Sequence, residues 1–457
     1  MGIFGAMITA VSGLRAESSA LEHISDNIAN TRTAGFKRTE TSFSNLIINS
    51  EPRNLRGGGV TGYSRSTNQI QGDVQSSDIS TYMAIKGDGY FMVEERVSDS
   101  DGQPVFLNVD RYTRRGDFDL DKNGYLVNGA GYYLKGLAID PTTGNPSGSQ
   151  AEPIKVNNDF LPARASTQIT YKANLASTPK TANYDEGVAN SELLDPSAFA
   201  SDPTVSGTGT IAASDQELFL NSSVSGGAIT LYDSTGAPVN VQIRWAKIDS
   251  VNNGGTDTWE AFYLTDGNAT GAATAWQNMG QTYTFGANGQ LSPAVSSVDV
   301  TNLTVNGTNL GTIRLNHGSN SLTQFADSNG VSKVTDISQD GYASGELSAV
   351  GISSDGRVVG TYTNGQSLEL YEVQLVSFNA DESLQKLSGG AYAETRDSGS
   401  AILGAQGAVV GQALEGSNAD IADEFTKLIV TQQAYAAGTR IVTTSDDMLK
   451  EALAMKR

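Results

Sequence analysis

The sequence predicts a mainly β protein with α-helical termini. Glycine is frequent, at 50 of 457 residues, and only 18% of the residues are charged, a composition typical of sheets with many turns. All eleven prolines lie between Pro52 and Pro293, so both ends of the chain can form long helices. We therefore predict a nested multidomain architecture in which the N- and C-terminal helices pair, a discontinuous β-domain follows, and a second β-domain is inserted in the middle.

The first helix is predicted over residues 1–33. Its apolar residues follow a spacing of four and three, which places them on one helix face. These residues are Met7, Val11, Leu14, Leu21 and Ile28. The stretch ISDNIANTRTAGFKR then ends the helix: Asp26, Asn27 and Asn30 are predicted to bind its last carbonyls, and Gly35 to form the turn. A role for Asn27 or Asn30 between copies of the chain is a further hypothesis.

The last helix is predicted over residues 409–457. One apolar row recurs every seven residues, at Leu414, Ile421, Leu428, Tyr435, Val442 and Leu449. A partner row four residues further on has only Phe425 and Leu453 as apolar members, so the helix lacks a complete second seam. We predict that the terminal helices pair, complete their burial against other copies of the chain and are poorly ordered in a single copy. The alternative is that each helix packs only on its own globular domain.

Between the helices the apolar period changes from seven to two. Residues 34–75 are predicted to be a linker, including a loop at RGGGVTG (Arg56–Gly62). An inner β-domain is predicted over 76–176 and 340–408, with hairpin turns at Asn123-Gly124 and Asp355-Gly356. An outer β-domain is predicted over 177–339, where one strand alternates Val239, Val241, Ile243 and Trp245 with polar residues.

Charge and composition exclude several classes of function. The net charge of −20 disfavours a nucleic-acid partner. Without cysteine the chain has neither disulfides nor a thiolate site. The first apolar run, Ile3 to Leu14, is interrupted by glycines and is too short to span a bilayer, so we expect neither membrane insertion nor a cleaved signal.

No motif indicates an enzyme or a cofactor site. The stretch DLDKNGYLVNGA begins like a calcium-binding loop at Asp119, Asp121 and Asn123, but its twelfth position is Ala130 instead of glutamate, and a hairpin turn explains the same residues. His23 and His317 have no nearby candidate ligands in the sequence. We therefore predict no catalytic residue, no metal and no cofactor.

Both ends of the chain resemble the bacterial flagellar axial proteins, the family of rod and hook subunits. The resemblance lies in SGLRAESSALEHISDNIANTRTAGFKR (Ser12 to Arg38) and in the last 43 residues, from EGSNADIADEF onward. The turn motif of the family matches Asn27, Asn30, Gly35, Phe36 and Lys37. Three internal segments are similar to hook members in particular: AIKGDGYFMV, ITLYDSTGAPVNVQIRWAKI and SQDGYASGELSAVGISSDGRVVGTYTNGQ.

The resemblance implies a structural subunit of the flagellar hook. Such subunits are exported by the flagellar type III apparatus without a cleaved signal, and they form a homopolymer outside the cell. The polymer is a curved tube that transmits torque from rod to filament, so the implied partners are further copies, the rod, the hook cap and the hook-filament junction proteins. The open alternatives are a distal rod protein, which usually lacks so large an inserted block, and a β-rich surface adhesin.

Overall fold

The computed structural model describes residues 3–49, 56–141, 143–158, 160–319 and 321–455. The chain folds into two compact units. The first comprises Met1–Asp159, Leu347–Tyr362 and Ser367–Arg457, and the second comprises Phe160–Glu346 and Thr363–Gln366. The second unit is therefore an insertion in the sequence of the first. Helices lie at both ends and strands dominate between them, which confirms the predicted fold class.

The first unit begins with helix α1 (Ile3–Ala29) and a hairpin of β1 (Thr39–Asn49) and β2 (Arg56–Ser66). The prediction of a loop at Arg56–Gly62 is wrong, because these residues belong to β2. Their glycines serve close packing under α1: a Cβ atom on Gly59 would lie 2.3 Å from the Ser12 hydroxyl oxygen, and one on Gly62 would lie 3.5 Å from the Ala16 Cα atom. The hairpin thus packs closely along one side of α1.

The strands that follow the hairpin in the first unit begin before the insertion. They are β3 (Val74–Ser76), β4 (Met83–Lys86), β5 (Tyr90–Ser100), β6 (Gln103–Thr113), β7 (Phe118–Leu120), β8 (Leu126–Asn128), β9 (Tyr132–Ile139) and β10 (Pro146–Pro153). Strands β3 and β4 each belong to a separate two-stranded sheet, whereas β5 to β10 belong to the main sheet of the unit. Strand β5 pairs antiparallel with β6 and β9. The hairpin predicted at Asn123-Gly124 is confirmed, because β7 pairs with β8 and Gly124 has a φ of +83°.

The second unit contains two five-stranded sheets and the short helix α2 (Gln216–Asn221). Its strands are β11 (Gln168–Asn174), β12 (Thr210–Ala212), β13 (Val224–Tyr232), β14 (Pro238–Asp249), β15 (Thr258–Leu264), β16 (Thr274–Thr284), β17 (Ser297–Val300), β18 (Thr304–Val305), β19 (Thr308–Asn309), β20 (Ile313–Asn316), β21 (Leu322–Thr323) and β22 (Lys333–Gln339). Its core includes Trp245 and Trp259, both fully buried. The predicted strand around Trp245 is confirmed as β14.

The start of the second unit differs from the boundary predicted at residue 177. Strand β11 lies before that boundary, yet it pairs antiparallel with β22 and parallel with β20 and β21. Because these partners all belong to the second unit, β11 is part of its sheet. The sequence pattern of a single strand does not disclose which sheet the strand joins.

The chain returns to the first unit after the insertion. Its last strands are β23 (Leu347–Ile352), β24 (Arg357–Tyr362), β25 (Ser367–Val373), β26 (Leu375–Ser377), β27 (Gln385–Lys386), β28 (Ala391–Ala393), β29 (Ile402–Leu403), β30 (Ala408–Gly411) and β31 (Ala413–Glu415), and they precede helix α3 (Ile421–Ala454). Strand β25 pairs with β9, β30 with β4 and β31 with β3. The segments on both sides of the insertion therefore build one discontinuous domain.

The last helix starts later than the sequence predicts. Leu414 was expected in the helical row, but it lies in β31 opposite Gln75, so its placement in the helix is wrong. The backbone of this segment pairs with β3, so the helix begins only after Asp420. The Asp420 carboxylate accepts hydrogen bonds from the amides of Ala422 (2.8 Å) and Asp423 (3.0 Å), which is an N-cap. Among the described residues, no helix has both the length and the apolar character that a membrane crossing requires.

A buried carboxyl group lies inside the second unit. Glu260 on β15 is 1% exposed, and it accepts hydrogen bonds from the Asn278 amide (2.7 Å) and the Thr282 hydroxyl (3.1 Å). No Lys or Arg among the described residues forms an ion pair with it. Burial raises the pKa of Glu260 to about 7. The folded unit therefore holds a proton that the unfolded chain releases near pH 4.5.

We expect the stability of the second unit to fall as the pH rises from about 4.5 through 7, because the folded pKa of Glu260 lies above the unfolded value. The loss should reach roughly 3 kcal/mol at alkaline pH. In Glu260→Gln this pH dependence should disappear, whereas the exposed control Glu217→Gln should retain it. Urea unfolding followed by tryptophan fluorescence reports this unit, since it holds all three tryptophans. Parallel pH profiles for the parent and Glu260→Gln would contradict the assignment.

Candidate functional site

The two terminal helices lie against each other, and this pair is the candidate functional site. The pair is antiparallel: Leu14 of α1 meets Gly438 of α3, and Asn27, near the end of α1, meets Glu424, near the start of α3. A Cβ atom on Gly438 would lie 3.0 Å from a Leu14 methyl carbon, so the glycine brings the helix backbone close to the leucine. The predicted pairing of the chain ends is confirmed as a feature of the fold.

Helix α3 has the predicted heptad row and a second row that was not predicted, and the contacts with α1 described above come from the second row. Leu428, Val442 and Leu449 are half-buried, whereas Tyr435 is 38% exposed and Ile421 is 52% exposed. The second row lies at Glu424, Thr431, Gly438 and Ser445, all buried or half-buried. These residues are polar or small. Along this row, the two helices are therefore joined by close approach of their backbones and not by burial of large apolar side chains.

The apolar members of the predicted partner row are exposed. Phe425 is 48% exposed and Leu453 is 69% exposed. Their predicted role in assembly stays a prediction.

Helix α1 uses two faces. The predicted residues Met7, Leu14, Leu21 and Ile28 are half-buried, and Val11 is 38% exposed. The most buried α1 side chains lie on another face, which includes Ala16, Ala20, Ile24 and Asn27. Alanine marks this face only weakly in a sequence, because it is common on any part of a helix.

His23 fixes α1 to the hairpin. One ring nitrogen lies 2.8 Å from the Thr41 hydroxyl of β1, and the other lies 3.0 Å from the Ser64 hydroxyl of β2. The histidine therefore contacts both strands of the hairpin against which α1 packs. This position is consistent with a packing role and not with a ligand role.

Asn27 connects three segments instead of ending the helix. Its amide nitrogen donates to the Glu424 carboxylate and to the Thr39 carbonyl, both at 3.0 Å, and its oxygen accepts the Thr39 amide at 3.0 Å. Asn27 is 1% exposed and Glu424 is fully buried. The prediction that Asn27 binds a helix-end carbonyl is therefore wrong. Its partners are distant in sequence, so no local pattern reveals them.

Asn30 and Gly35 do behave as the sequence predicts. The Asn30 amide donates to the carbonyl and carboxylate of Asp26, both at 3.0 Å, which satisfies a carbonyl at the helix end. Gly35 has a φ of +65°, and a Cβ atom there would lie 2.7 Å from the Arg115 amide nitrogen. Only glycine fits this turn without strain. Phe36 is half-buried beneath the Lys386 ammonium, 5.9 Å from its ring centre.

Lys37 enters a fully buried ion cluster, here called the junction cluster, formed by Lys37, Glu415 and Arg114. The Lys37 ammonium lies 2.5 Å from one Glu415 oxygen and donates to the Ile70 carbonyl at 2.6 Å. Arg114 lies 3.4 Å from the other Glu415 oxygen. Burial lowers the pKa of Lys37, and the Glu415 carboxylate opposes that shift.

Asn418 completes the connection next to the junction cluster. Its side-chain oxygen accepts the Arg38 amide at 2.7 Å, and its amide nitrogen donates to the Thr67 hydroxyl (3.0 Å) and the Ile70 carbonyl (3.2 Å). The segment before α3 is thus fixed to the turn after α1 by both charged and neutral hydrogen bonds. The arrangement sets where the two helices meet. It contains no nucleophile with an adjacent base.

The calcium-like stretch is a hairpin turn. The Asp121 carboxylate accepts the amides of Asn123 and Tyr125, each at 2.8 Å, so its oxygen is occupied by its own backbone. In the described ranges, no group of three or more His, Cys, Asp or Glu residues could hold a metal ion.

Models of four protein families match parts of the chain. They are the "Flagella basal body rod protein" over residues 7–37, the "Flagellar hook protein FlgE/F/G D1 domain" over 84–173, the "Flagellar basal body protein FlaE D2 domain" over 201–342, and the "Flagellar basal body rod FlgEFG protein C-terminal" over 410–455.

Relatives match along the whole chain. "Flagellar hook protein FlgE" of Salmonella typhimurium is 30% identical over 449 residues, which cover 96% of this chain and 97% of the relative. The protein of the same name from Brucella suis is 29% identical over 462 residues, with full coverage of both chains. A solved structure of Helicobacter pylori flagellar hook protein FlgE2 aligns with 74% of this chain at 16% identity, with a TM-score of 0.49.

We expect Asn27→Ala to weaken the base of the helix pair far more than Asn30→Ala. The first change leaves the buried Glu424 oxygen and the Thr39 amide without this partner, at a cost of roughly 2–4 kcal/mol. The second removes two exposed hydrogen bonds to Asp26 and one part-buried hydrogen bond from the Thr33 hydroxyl, and should cost only about 1 kcal/mol. Amide hydrogen exchange at Thr39 and Glu424 measures the difference. Equal acceleration of exchange in both variants would show that Asn27 does not connect the segments.

Proposed function

The chain belongs to the flagellar hook protein family, and from this premise we propose that its copies polymerise into a curved, flexible tube that transmits torque from rod to filament. The protein is structural and not an enzyme. Family membership rests on the match to hook proteins along nearly the whole chain. The match over residues 201–342 supports the hook over a distal rod protein, since the terminal segments alone are shared with rod proteins.

The observation that carries the proposal is the apolar surface that the terminal helices leave exposed. Phe4 is 65% exposed and Ile8 61% on α1, and on α3 Val430 is 61% exposed and Leu453 69%. Large contiguous apolar surfaces on a soluble chain are typical of interaction sites. Further copies of the same chain would cover this surface in a tube. Poor order of these helices in a single copy stays a prediction.

The β-units would supply the outer layers of the tube. Their cores contain large buried side chains, such as Trp245 and Trp259 in the second unit and Tyr90 and Phe91 in the first. Such densely packed interiors resist deformation. Bending of the tube would then come from sliding between copies, while each unit keeps its shape.

Family membership also supports a proposal for the partners and the route of the protein. Location in the flagellum follows from the hook relatives. The finer proposal is that the chain passes through the type III export apparatus without losing a signal peptide and assembles outside the cell beneath the hook cap. Its other neighbours would be the rod and the hook-filament junction proteins.

We expect purified full-length chain to form tubes at high concentration, and a chain ending at Asp420 to remain monomeric because it lacks α3. Electron microscopy detects the tubes. Tryptophan fluorescence checks that the second unit of the truncated chain is folded, since all three tryptophans lie there. Tubes formed by the truncated chain, or a full chain that stays monomeric under every polymerising condition, would contradict the proposal.

A further inference from the structure

Asparagine followed by glycine is the sequence in which a side-chain amide is most readily lost as ammonia. In this deamidation the glycine amide nitrogen attacks the side-chain carbon of asparagine, and glycine has no Cβ atom to block the approach. The reaction needs a glycine amide free to lose its proton, a side-chain nitrogen free to leave, and access to water. The sequence contains seven such pairs, at Asn123, Asn128, Asn253, Asn288, Asn306, Asn329 and Asn364.

Four of the seven pairs have a glycine amide that is already bonded to the backbone. An amide that donates a hydrogen bond loses its proton less readily and must first break that bond. These amides belong to Gly124, Gly254, Gly289 and Gly330, and they donate to the carbonyls of Asp121, Val251, Gly286 and Asp327 at 2.9 to 3.1 Å.

Two further pairs are protected through the asparagine side chain. The Asn364 nitrogen, which would have to leave, donates to the Ala343 carbonyl at 2.7 Å, and the oxygen accepts the Gln366 amide at 3.0 Å. Asn128 is only 3% exposed, and its oxygen accepts the Tyr132 amide at 3.0 Å. The first side chain is therefore held at both ends, and the second is kept from water.

Asn306 is free in all three respects. With Gly307 it forms the exposed two-residue turn between β18 and β19, with φ angles of +49° and +82°. Among the described residues, neither the Gly307 amide nor the Asn306 side-chain nitrogen has a hydrogen-bond partner. The Asn306 side-chain oxygen accepts the Gly267 amide at 3.2 Å, which stabilises the negative charge that develops on this oxygen during attack.

The turn at Asn306 must also open, because ring closure requires a rotation about the Asn306 Cα–C bond. The pairing that holds the turn is short, since β18 and β19 pair only through Thr304 with Asn309 and Val305 with Thr308. A Cβ atom on Gly307 would have no neighbour within 4 Å, so the space around the turn is open. Such short, exposed elements open at low free-energy cost.

We propose that Asn306 is a modification site at which this chain deamidates spontaneously. The Gly307 nitrogen loses its proton to solvent base and bonds to the Asn306 side-chain carbon, and the side-chain nitrogen leaves as ammonia. Water then opens the resulting five-membered imide to aspartate or isoaspartate. The net reaction consumes one water and releases one ammonia, with no oxidation or reduction.

The modification changes this corner of the second unit. Either product adds one negative charge next to the loop that contains Asp266 and Gly267. Isoaspartate also lengthens the backbone by one carbon atom, so the two-residue turn cannot keep its geometry. Because the Asn306 amide donates to the Thr265 carbonyl at 2.6 Å, we expect the hairpin to loosen from the loop after β15. The modified fraction increases with time and therefore marks the age of each copy.

Peptide mass spectrometry of the full-length chain tests the inference. The folded chain is incubated in mildly alkaline buffer, and the mass gain of about 1 Da is followed at all seven pairs. We expect Asn306 to react about 10-fold faster than the four pairs with a bonded glycine amide, and faster as the pH rises. In urea, where these hydrogen bonds are lost, all seven pairs should react at similar rates.

Asn306→Gln removes the reactive pair, because attack on glutamine would have to close a larger ring. This variant should lose the main acidic species that ion-exchange chromatography separates from the aged parent. Asn309→Gln is the matched control, since Asn309 is exposed in the same hairpin but precedes leucine, and it should keep that species. Faster reaction at any other pair in the folded chain, or the same order of rates with and without urea, would overturn the inference. These outcomes do not depend on polymerisation, so they leave the test of the proposed function separate.

Discussion

The buried salt bridge between Lys37 and Glu415 determines where the two ends of the chain meet. Both side chains are fully buried, and Arg114 contacts the same carboxylate from the core of the first unit. Removing one partner of such a cluster leaves an uncompensated charge in a low-dielectric interior. The turn at Gly35 and the start of α3 are therefore fixed relative to each other. Because α1 and α3 both lead away from this region, its geometry sets how the two helices are placed against each other.

The helix pair beyond the junction cluster is closely packed but incompletely buried. Gly438 and Ser445 let α3 approach α1, and the alanines of α1 let that helix approach the hairpin. Small residues bring backbones together but bury little apolar surface. Large apolar side chains such as Phe4, Ile441 and Met448 consequently remain on the sides of the pair. The same packing that orients the helices thus leaves surface for other copies, while the β-units bury their own cores.

Periodicity predicted the parts of the fold that depend on local pattern. The heptad row of α3, the hairpin at Asn123-Gly124 and the strand around Trp245 follow from the spacing of apolar residues and turn residues. Leu414 continued the heptad yet lies in a strand, because backbone pairing with β3 outweighs a single periodic position. The junction cluster escaped prediction because its charges are separated by hundreds of residues, although the motif residue Lys37 is one of them. The second row of α3 was not predicted, because Thr431, Gly438 and Ser445 are small or polar and do not form an apolar pattern.

Hydrogen exchange at the junction cluster tests the account most directly. Lys37→Met should cost about 3 kcal/mol by leaving Glu415 undercompensated. Exchange at the amides of Gly35 and Gly72, which donate to Glu415, should then accelerate roughly 100-fold. Lys450→Met, which breaks only exposed pairs with Asp446 and Asp447, should leave these amides unchanged. Equal protection of Gly35 and Gly72 in both variants would contradict the claim that this buried salt bridge fixes the chain ends.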